Sequence, residues 1–134
     1  MSIKPSSPCP CGRPLRYEAC CGRWHAGDAA APDAESLMRS RYSAYVLGLD
    51  VYLLATWHAS TRPATLDSHQ PGLKWLGLQV RRAWLVNPAL AYVEFVARSR
   101  LVFKGQRLHE TSRFVFEDGR WWYVDGEFAP GGEH

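Results

Sequence analysis

Hydrophobic residues recur at intervals of three and four between residues 34 and 47, which predicts an amphipathic helix. The repeating apolar positions are Ala34, Leu37, Met38, Tyr42, Tyr45 and Val46. Asp33 lies just before this segment and suits the N-cap position, and Gly48 just after it suits a left-handed C-terminal stop. The sequence therefore predicts a first helix that starts at Asp33 and runs to about Leu47.

A second, shorter helix is predicted from Asp50, which can cap it, to about Trp57, because Thr61-Arg62-Pro63 interrupts the pattern. Beyond Pro71-Gly72 the hydrophobic spacing becomes two, which is typical of half-buried strands. The alternating residues are Leu76, Leu78 and Val80 in one segment and Ala91, Val93, Phe95 and Ala97 in the next. Helices followed by about four to six antiparallel strands predict an α+β fold, with helices packed on a curved sheet.

Turn-forming residues separate the predicted strands. Asn87-Pro88 ends one strand, and Lys104-Gly105-Gln106 is the predicted turn after the short apolar run from Leu101 to Phe103. Asp118-Gly119 predicts a tight two-residue hairpin. The resulting register places Phe116 opposite Trp121, Phe114 opposite Tyr123 and Ser112 opposite Asp125.

A charged residue falls within the apolar stripe of the first helix, since Arg41 lies between Leu37 and Tyr45 on a helical wheel. A buried charge is unfavourable without a partner, and the expected partner is Glu110 or Asp125 on the last hairpin. One face of that hairpin combines aromatic residues with a polar, acidic end, as ligand clefts do. The candidate pocket consists of Arg41, Tyr45, Trp57, Glu110, Ser112 and Asp125.

The same residues also have a purely structural interpretation, because a buried arginine–carboxylate pair often fixes the register of a helix on a sheet. His109 is expected on the opposite face of its strand, and Trp57-His58 is interpreted as packing plus a helix-end histidine. No catalytic residue is assigned, because the chain lacks G-x-S-x-G, phosphate-loop, H-E-x-x-H and dinucleotide motifs.

All four cysteines lie within the first 21 residues, with the spacing C-x-C-x8-C-C. Two short pairs of thiolates joined by a turn can close a tetrahedral site for zinc, although tetrahedral thiolates also accept iron. The predicted ligands are Cys9, Cys11, Cys20 and Cys21, with Arg13, Arg16 and Arg23 around them. The alternatives are disulfides or free thiols, and His25 in place of Cys21 as the fourth ligand.

Composition limits the chain to one ordinary domain with a small appendage, since it has 134 residues and a mass of 15.2 kDa. The small, turn-prone residues 26–32 separate a metal-binding knuckle, residues 1–28, from the main domain, residues 29–134. The net charge of +3 permits an acidic partner but falls short of a dedicated nucleic-acid footprint.

The expected location is the cytoplasm, without a membrane association. No apolar run reaches the ~20 residues that span a bilayer. The N-terminus also lacks a charged-then-apolar leader, so the cysteines are expected to remain in a reducing compartment.

The cysteine segment resembles a known motif. Cys9-Pro-Cys11-Gly12, Tyr17 and Cys20-Cys21-Gly22 are similar to the SEC-C motif, which ends the bacterial preprotein-translocase motor ATPase and recurs in small bacterial proteins. The resemblance implies that both residues of the final pair are ligands. The chain departs from the motif at Arg13-Pro14, where the family usually has Ser-Gly.

Further segments resemble the YchJ-like family, in which a SEC-C knuckle precedes a cone-like domain of the nuclear-transport-factor-two-like fold. These segments are Arg39 to Tyr45, Thr56-Trp57-His58, His109 to Phe114 and Trp122 to Gly126. The match covers nearly the whole chain. It implies the architecture more strongly than the function, because the biochemical role of the family is poorly defined.

Three functions are consistent with these features. The first hypothesis is a cytosolic adaptor whose zinc knuckle docks a protein or ribosomal partner, and the translocase resemblance implies an export chaperone or the ribosome. The second is a small-molecule-binding protein or enzyme that uses the candidate pocket. The third is a nucleic-acid binder in which Tyr17, Trp24 and the nearby arginines stack on bases.

Overall fold

The computed structural model describes residues 3–133, with side chains as far as residue 129. A single 3-10 turn, Tyr17–Ala19, precedes the first helix. The elements that follow are α1 (Cys21–His25), α2 (Ala34–Leu47), α3 (Asp50–Ala55), β1 (Leu73–Asn87), β2 (Leu90–Leu101), β3 (Lys104–Glu117) and β4 (Arg120–Glu133). The α+β class is therefore confirmed. None of the described helices is long and apolar enough to cross a membrane.

Helix α2 begins and ends where the sequence predicts. The Oδ1 atom of Asp33 accepts a hydrogen bond from the backbone nitrogen of Ser36 at 2.7 Å, and Gly48 adopts a left-handed φ of 73°. Ten of the fourteen residues of α2 are buried, including Arg41. The helix is therefore surrounded on most sides rather than lying on a surface.

Helix α3 is shorter than predicted because the backbone that follows it forms hydrogen bonds with β4. The helix ends at Ala55, and the nitrogen of His58 then donates to the carbonyl of Tyr123 at 2.7 Å. The backbone nitrogen of Tyr123 donates in turn to the carbonyl of Thr56 at 2.9 Å. Asp50 is the first residue of α3 rather than its cap, and its carboxylate accepts from Ser68 instead.

The described strands form one four-stranded antiparallel sheet in the order β1-β2-β3-β4. The predicted turn at Lys104-Gly105-Gln106 was wrong, because Lys104 already pairs with Leu101 at the start of β3. Val102 and Phe103 form the turn instead, with Val102 at a φ of 58° and Phe103 almost fully exposed. Their apolar character does not indicate a turn, but the pairing of Leu101 with Lys104 leaves only these two residues to reverse the chain.

Irregularities in β1 curve the sheet around α2. The pairing of β1 with β2 shifts at three points, one of them between Trp75 and Gly77. Such bulges bend a strand and increase its twist. Leu76 lies at this first bulge and is exposed, although it was predicted on the same face as Leu78. On β2 the predicted inward residues Ala91, Val93, Phe95 and Ala97 are all buried, but Val96 between them is buried as well, so the alternation does not extend through residue 96.

The N-terminal segment and the main domain share one buried cluster. It includes the four cysteines and Trp24, together with Leu37 and Met38 of α2 and residues of the sheet. The division into residues 1–28 and 29–134 stays a prediction about independent folding. The contacts between the two segments are those of a packed interface.

Candidate metal centre and neighbouring cavity

The four cysteine sulfurs converge on one point. Their Sγ atoms all lie within 4.8 Å of one another, and none of the four residues is more than 5% exposed. The Sγ atoms of Cys11 and Cys20 are 3.6 Å apart. Four thiolates at the usual zinc–sulfur distance of ~2.3 Å would be separated by about 3.8 Å. The arrangement therefore fits a tetrahedral ion.

Local backbone structure holds the two cysteine pairs together. Cys9 and Cys11 lie on one arm of a short loop, which closes through the hydrogen bond from Cys9 N to Leu15 O at 3.0 Å. Cys20 ends the 3-10 turn, and Cys21 starts α1. No disulfide joins any of the four.

The crowded thiols perturb one another in opposite directions. Hydrogen bonds from Cys11 and Cys21 lower the pKa of the Cys9 thiol, because they stabilise its thiolate. Burial, followed by the charges of Cys11 and Cys9, raises the pKa of Cys20 to about 11. The pKa of Cys21 is raised as well, chiefly through its hydrogen bond with Cys11. The group thus accommodates a first negative charge and resists further ones, so a divalent cation would be needed to ionise all four.

Arginines contact the backbone of two candidate ligands. Arg23 donates through Nε to the carbonyl of Cys20 at 3.3 Å, and Arg39 donates through Nη1 to the carbonyl of Cys11 at 2.9 Å. Arg39 also pairs with Glu35 at 2.9 Å. Sequence reasoning missed Arg39, because nothing in its spacing showed that α2 packs against the knuckle. Two further arginines of the knuckle pair elsewhere, Arg13 with Ser36 and Glu35 and Arg16 with Glu18.

His25 is not part of the sulfur cluster. Its Nδ1 lies 2.6 Å from the hydroxyl of Tyr17, and its Nε2 lies 2.8 Å from the carbonyl of Ser40. Burial lowers its pKa, which favours the neutral ring. Both ring nitrogens are therefore engaged in holding the knuckle on α2, and the alternative in which His25 replaces Cys21 is wrong for this arrangement.

Three buried serines form the face of α2 that receives the knuckle. The hydroxyl of Ser36 accepts a hydrogen bond from Arg13 at 3.1 Å. The carbonyl of Ser40 lies 2.8 Å from Nε2 of His25. The Oγ of Ser43 lies 3.7 Å from the Sγ of Cys9. The serines are spaced at four and three residues, so they share one side of the helix. Their small side chains let the cysteine loop approach the helix backbone closely.

A cavity of about 280 Å³ lies between α2 and the inner face of the sheet. Four of the six candidate pocket residues line it, namely Arg41, Tyr45, Glu110 and Ser112. Its apolar walls include Trp75, Phe95 and Phe114. The cavity thus has the aromatic wall and polar end expected from the sequence.

Asp125 does not line this cavity, because the register of the last hairpin changes before it. Phe114 pairs with Tyr123 as predicted, but the pairing then shifts and places Ser112 opposite Gly126 and Arg113 opposite Asp125. The extra residue of this bulge turns Asp125 to the outer face of the sheet. There it accepts from Arg113 at 2.9 and 3.0 Å.

Trp57 also lies outside the cavity lining, and Arg41 is held differently from the prediction. Arg41 is 5% exposed, and its Nη1 donates to the carbonyl of Leu53 and the hydroxyl of Thr56, each at 2.7 Å. Its guanidinium lies 4.9 Å from the ring centre of Trp57 and 4.4 Å from that of Tyr123. No carboxylate of the described residues forms an ion pair with it, so neither predicted acidic partner is in direct contact.

Glu110 is placed by its immediate neighbours on β3 and β4. The hydroxyl of Ser112 donates to its Oε2 at 2.5 Å, and burial raises its pKa. Gly126 lies against the same carboxylate, because a Cβ atom at that position would overlap the Glu110 side chain. Only glycine therefore leaves room for Glu110 in its observed position.

Gly126→Ala is expected to lower the free energy of unfolding by about 1–3 kcal/mol, the usual range when extra atoms are forced into a packed site. Gly105→Ala is the matched control, because a Cβ there meets nothing within 4 Å. Urea unfolding of both variants measures the difference. Equal stabilities would show that Glu110 moves aside freely and that Gly126 does not constrain it.

Comparisons with known proteins agree with this architecture. Residues 33–126 match the family model described as YchJ, middle NTF2-like domain. A UPF0225 protein of Methylibium petroleiphilum is 63% identical over 124 residues, covering 92% of this chain and 90% of the relative. A UPF0225 protein of Bordetella pertussis is 56% identical over 131 residues, covering 95% and 98%.

Two solved structures share the fold. The solution structure of a SEC-C motif containing protein from Rhodopseudomonas palustris has a TM-score of 0.82 and 33% identity, covering 91% of this chain and 98% of that one. The crystal structure of a SEC-C motif containing protein from Psychrobacter arcticus has a TM-score of 0.78 and 29% identity, covering 94% and 85%. Both similarities cover more than nine-tenths of this chain and so extend beyond residues 33–126.

Proposed function

Because this chain belongs to the YchJ-like family of SEC-C motif proteins, we propose that it is a cytoplasmic zinc-binding adaptor whose knuckle docks a protein partner. The metal itself has a structural role in this proposal. Four thiolates fill the tetrahedral coordination of zinc and leave no position for a reactive water. Iron is the alternative ion, since the same ligand set accepts it.

The observation that carries the proposal is the exposed loop between the two cysteine pairs. Leu15 on this loop is 44% exposed although it is apolar, and the neighbouring Arg16 is exposed as well. The loop is fixed from both sides by the bond from Cys9 N to Leu15 O and by the bridge between Pro8 and Arg16. An apolar side chain next to a cation on a rigid loop is suited to a partner with a small apolar recess and an acidic rim.

An export chaperone or the ribosome is the proposed partner, following the resemblance of the knuckle to the translocase tail. Co-sedimentation of the zinc-loaded full chain with purified ribosomes, and gel filtration with a purified export chaperone, test the two. Binding is expected to fall with salt, because exposed ion pairs are screened. Leu15→Ser combined with Arg16→Glu is expected to weaken the affinity for the partner at least about tenfold, a change of about 1.4 kcal/mol in binding free energy.

Val51→Ser is the matched control, because Val51 is a more exposed apolar residue on the main domain. It is expected to leave the affinity for the partner unchanged. If neither partner binds the wild-type chain, or if the loop variant and the control lose equal affinity, docking through the knuckle is contradicted.

A second candidate function is the binding of a small molecule by the main domain. The cavity favours it, because it is lined by apolar side chains and a few polar groups in the way that ligand sites are. This function is compatible with the adaptor, since the knuckle loop and the cavity use different residues.

A further inference from the structure

The buried guanidinium of Arg41 borders the cavity and forms no ion pair with the residues that the structure describes. Arg41 is almost fully buried, and its Nη1 donates two hydrogen bonds at 2.7 Å. Both acceptors, the carbonyl of Leu53 and the hydroxyl of Thr56, are uncharged. A buried guanidinium without an ionic partner is unfavourable, and its planar set of N–H donors suits the two oxygens of a carboxylate.

The acidic residue of the cavity does not supply that partner. Glu110 accepts its hydrogen bond from Ser112 and forms no ion pair with Arg41. Burial raises the pKa of its carboxyl, whereas the hydrogen bond from Ser112 and the charge of Arg41 act in the opposite direction. Arg41 therefore lines the cavity without an ion pair and can receive the anionic group of a ligand.

The remaining walls select for a flat apolar body. Met38, Tyr42, Trp75, Phe95 and Phe114 surround the space. At about 280 Å³ it is close to twice the size of a ~150 Å³ protein cavity that binds benzene. A single ring with a short substituent therefore fits, whereas a cofactor of nucleotide size does not.

We propose that this cavity binds a small aromatic monocarboxylate, with its ring between the apolar walls and its carboxylate on Arg41. The proposal rests on the second candidate function above and specifies its ligand class. Because the ring contacts are independent of charge, the carboxylate is what distinguishes the preferred ligand from other aromatic molecules of the same shape.

Three probes of one shape test the assignment, namely 3-phenylpropionate, 3-phenylpropanamide and 3-phenylpropylamine. Titration calorimetry with the zinc-loaded full chain measures each affinity. A change in tryptophan fluorescence that Trp75→Phe abolishes reports entry into the cavity, because Trp75 lines it and is one of six tryptophans. The carboxylate is expected to bind at least about tenfold more tightly than the amide, because a charge-assisted pair adds about 1.4 kcal/mol or more. Equal affinities, or tighter binding of the amine, would overturn the ligand class while leaving a small-molecule site in place.

Three variants separate the role of Arg41 in ligand recognition from its role in folding. Arg41→Lys retains the charge but loses the planar pair of donors, so it is expected to reduce the preference for carboxylate over amide. Arg100→Lys, on the exposed part of β2, is its matched control and should preserve the preference. Ala97→Leu fills the cavity from a buried position on β2 and is expected to abolish binding of every probe.

The outcomes test the ligand class, the place where the probes bind and the group that recognises the carboxylate. Failure of all three probes to bind the wild-type chain would reject the ligand class. Binding that Ala97→Leu leaves unchanged would place the probes outside the cavity and overturn the assignment. A carboxylate preference that survives in Arg41→Lys as strongly as in Arg100→Lys would show that another group recognises the anion.

Discussion

Replacing Cys20 with serine is expected to eliminate stoichiometric metal binding and to destabilise the chain by more than about 4 kcal/mol, the range in which loss of a structural metal falls. The physical reason is that metal binding is coupled to folding in a segment this short, and this segment packs against the main domain. Apparent binding free energies of structural zinc in small peptides are about 10–16 kcal/mol at neutral pH. Metal analysis by mass spectrometry and urea unfolding measure the two effects.

Two comparisons make this expectation specific. Chelation of the wild-type chain should reproduce the instability of Cys20→Ser, whereas it should have little further effect on the variant. Ser43→Ala is the control, because Ser43 lies beside Cys9 but provides no thiolate. It should retain one ion per chain. A Cys20→Ser protein with a full complement of metal and unchanged unfolding would contradict a four-thiolate centre.

Phe114→Ala is expected to lower the free energy of unfolding by about 3–5 kcal/mol, as truncation of a buried phenylalanine usually does. Phe114 is completely buried near the C-terminal end of β3, and its ring packs edge-on against Tyr123 with centroids 5.8 Å apart. It also forms part of the cavity wall. Truncation would enlarge an existing void, so the surrounding side chains have little means to fill it.

Phe116→Ala provides a matched comparison on the same strand and the same face. Phe116 pairs with Trp121 but is 43% exposed, so its removal should cost about 1 kcal/mol. Urea unfolding at constant metal loading measures both variants. Similar losses at the two positions would mean that the inner face of the sheet is not the centre of the core.

The sequence was sufficient where local signals were strong. The N-cap at Asp33 and the stop at Gly48 set the limits of α2, because both depend on residues at the helix ends. Asp118-Gly119 fixed the last hairpin through its backbone preferences, with Asp118 at a φ of 54° and Gly119 at 79°. The cysteine spacing likewise identified a group of four sulfurs that the fold brings together.

The errors arose where tertiary structure changed a local pattern. A single bulge in β4 reversed the side on which Asp125 lies, and bulges leave no clear mark in hydrophobic periodicity. The end of α3 depends on hydrogen bonds with Tyr123, more than sixty residues later in the chain. The partner expected for Arg41 was a carboxylate, whereas the structure provides a carbonyl, a hydroxyl and two aromatic faces.

The serine face of α2 was also missed, although its spacing is visible in the sequence. A search for apolar stripes passes over Ser36, Ser40 and Ser43, because serine is usually exposed. All three are buried here. Small polar residues at helical spacing can thus mark a surface on which another segment lies closely.

That surface has a practical consequence for anyone who shortens the protein. Residues 33–126 match a family model and look like a natural unit to express alone. A chain cut at residue 33 would lose the imidazole bound to the carbonyl of Ser40 and would bring Leu37 and the hydroxyls beside it into water. The N-terminal segment acts as a cover for the central helix, so the trimmed product should aggregate more readily than the full-length protein.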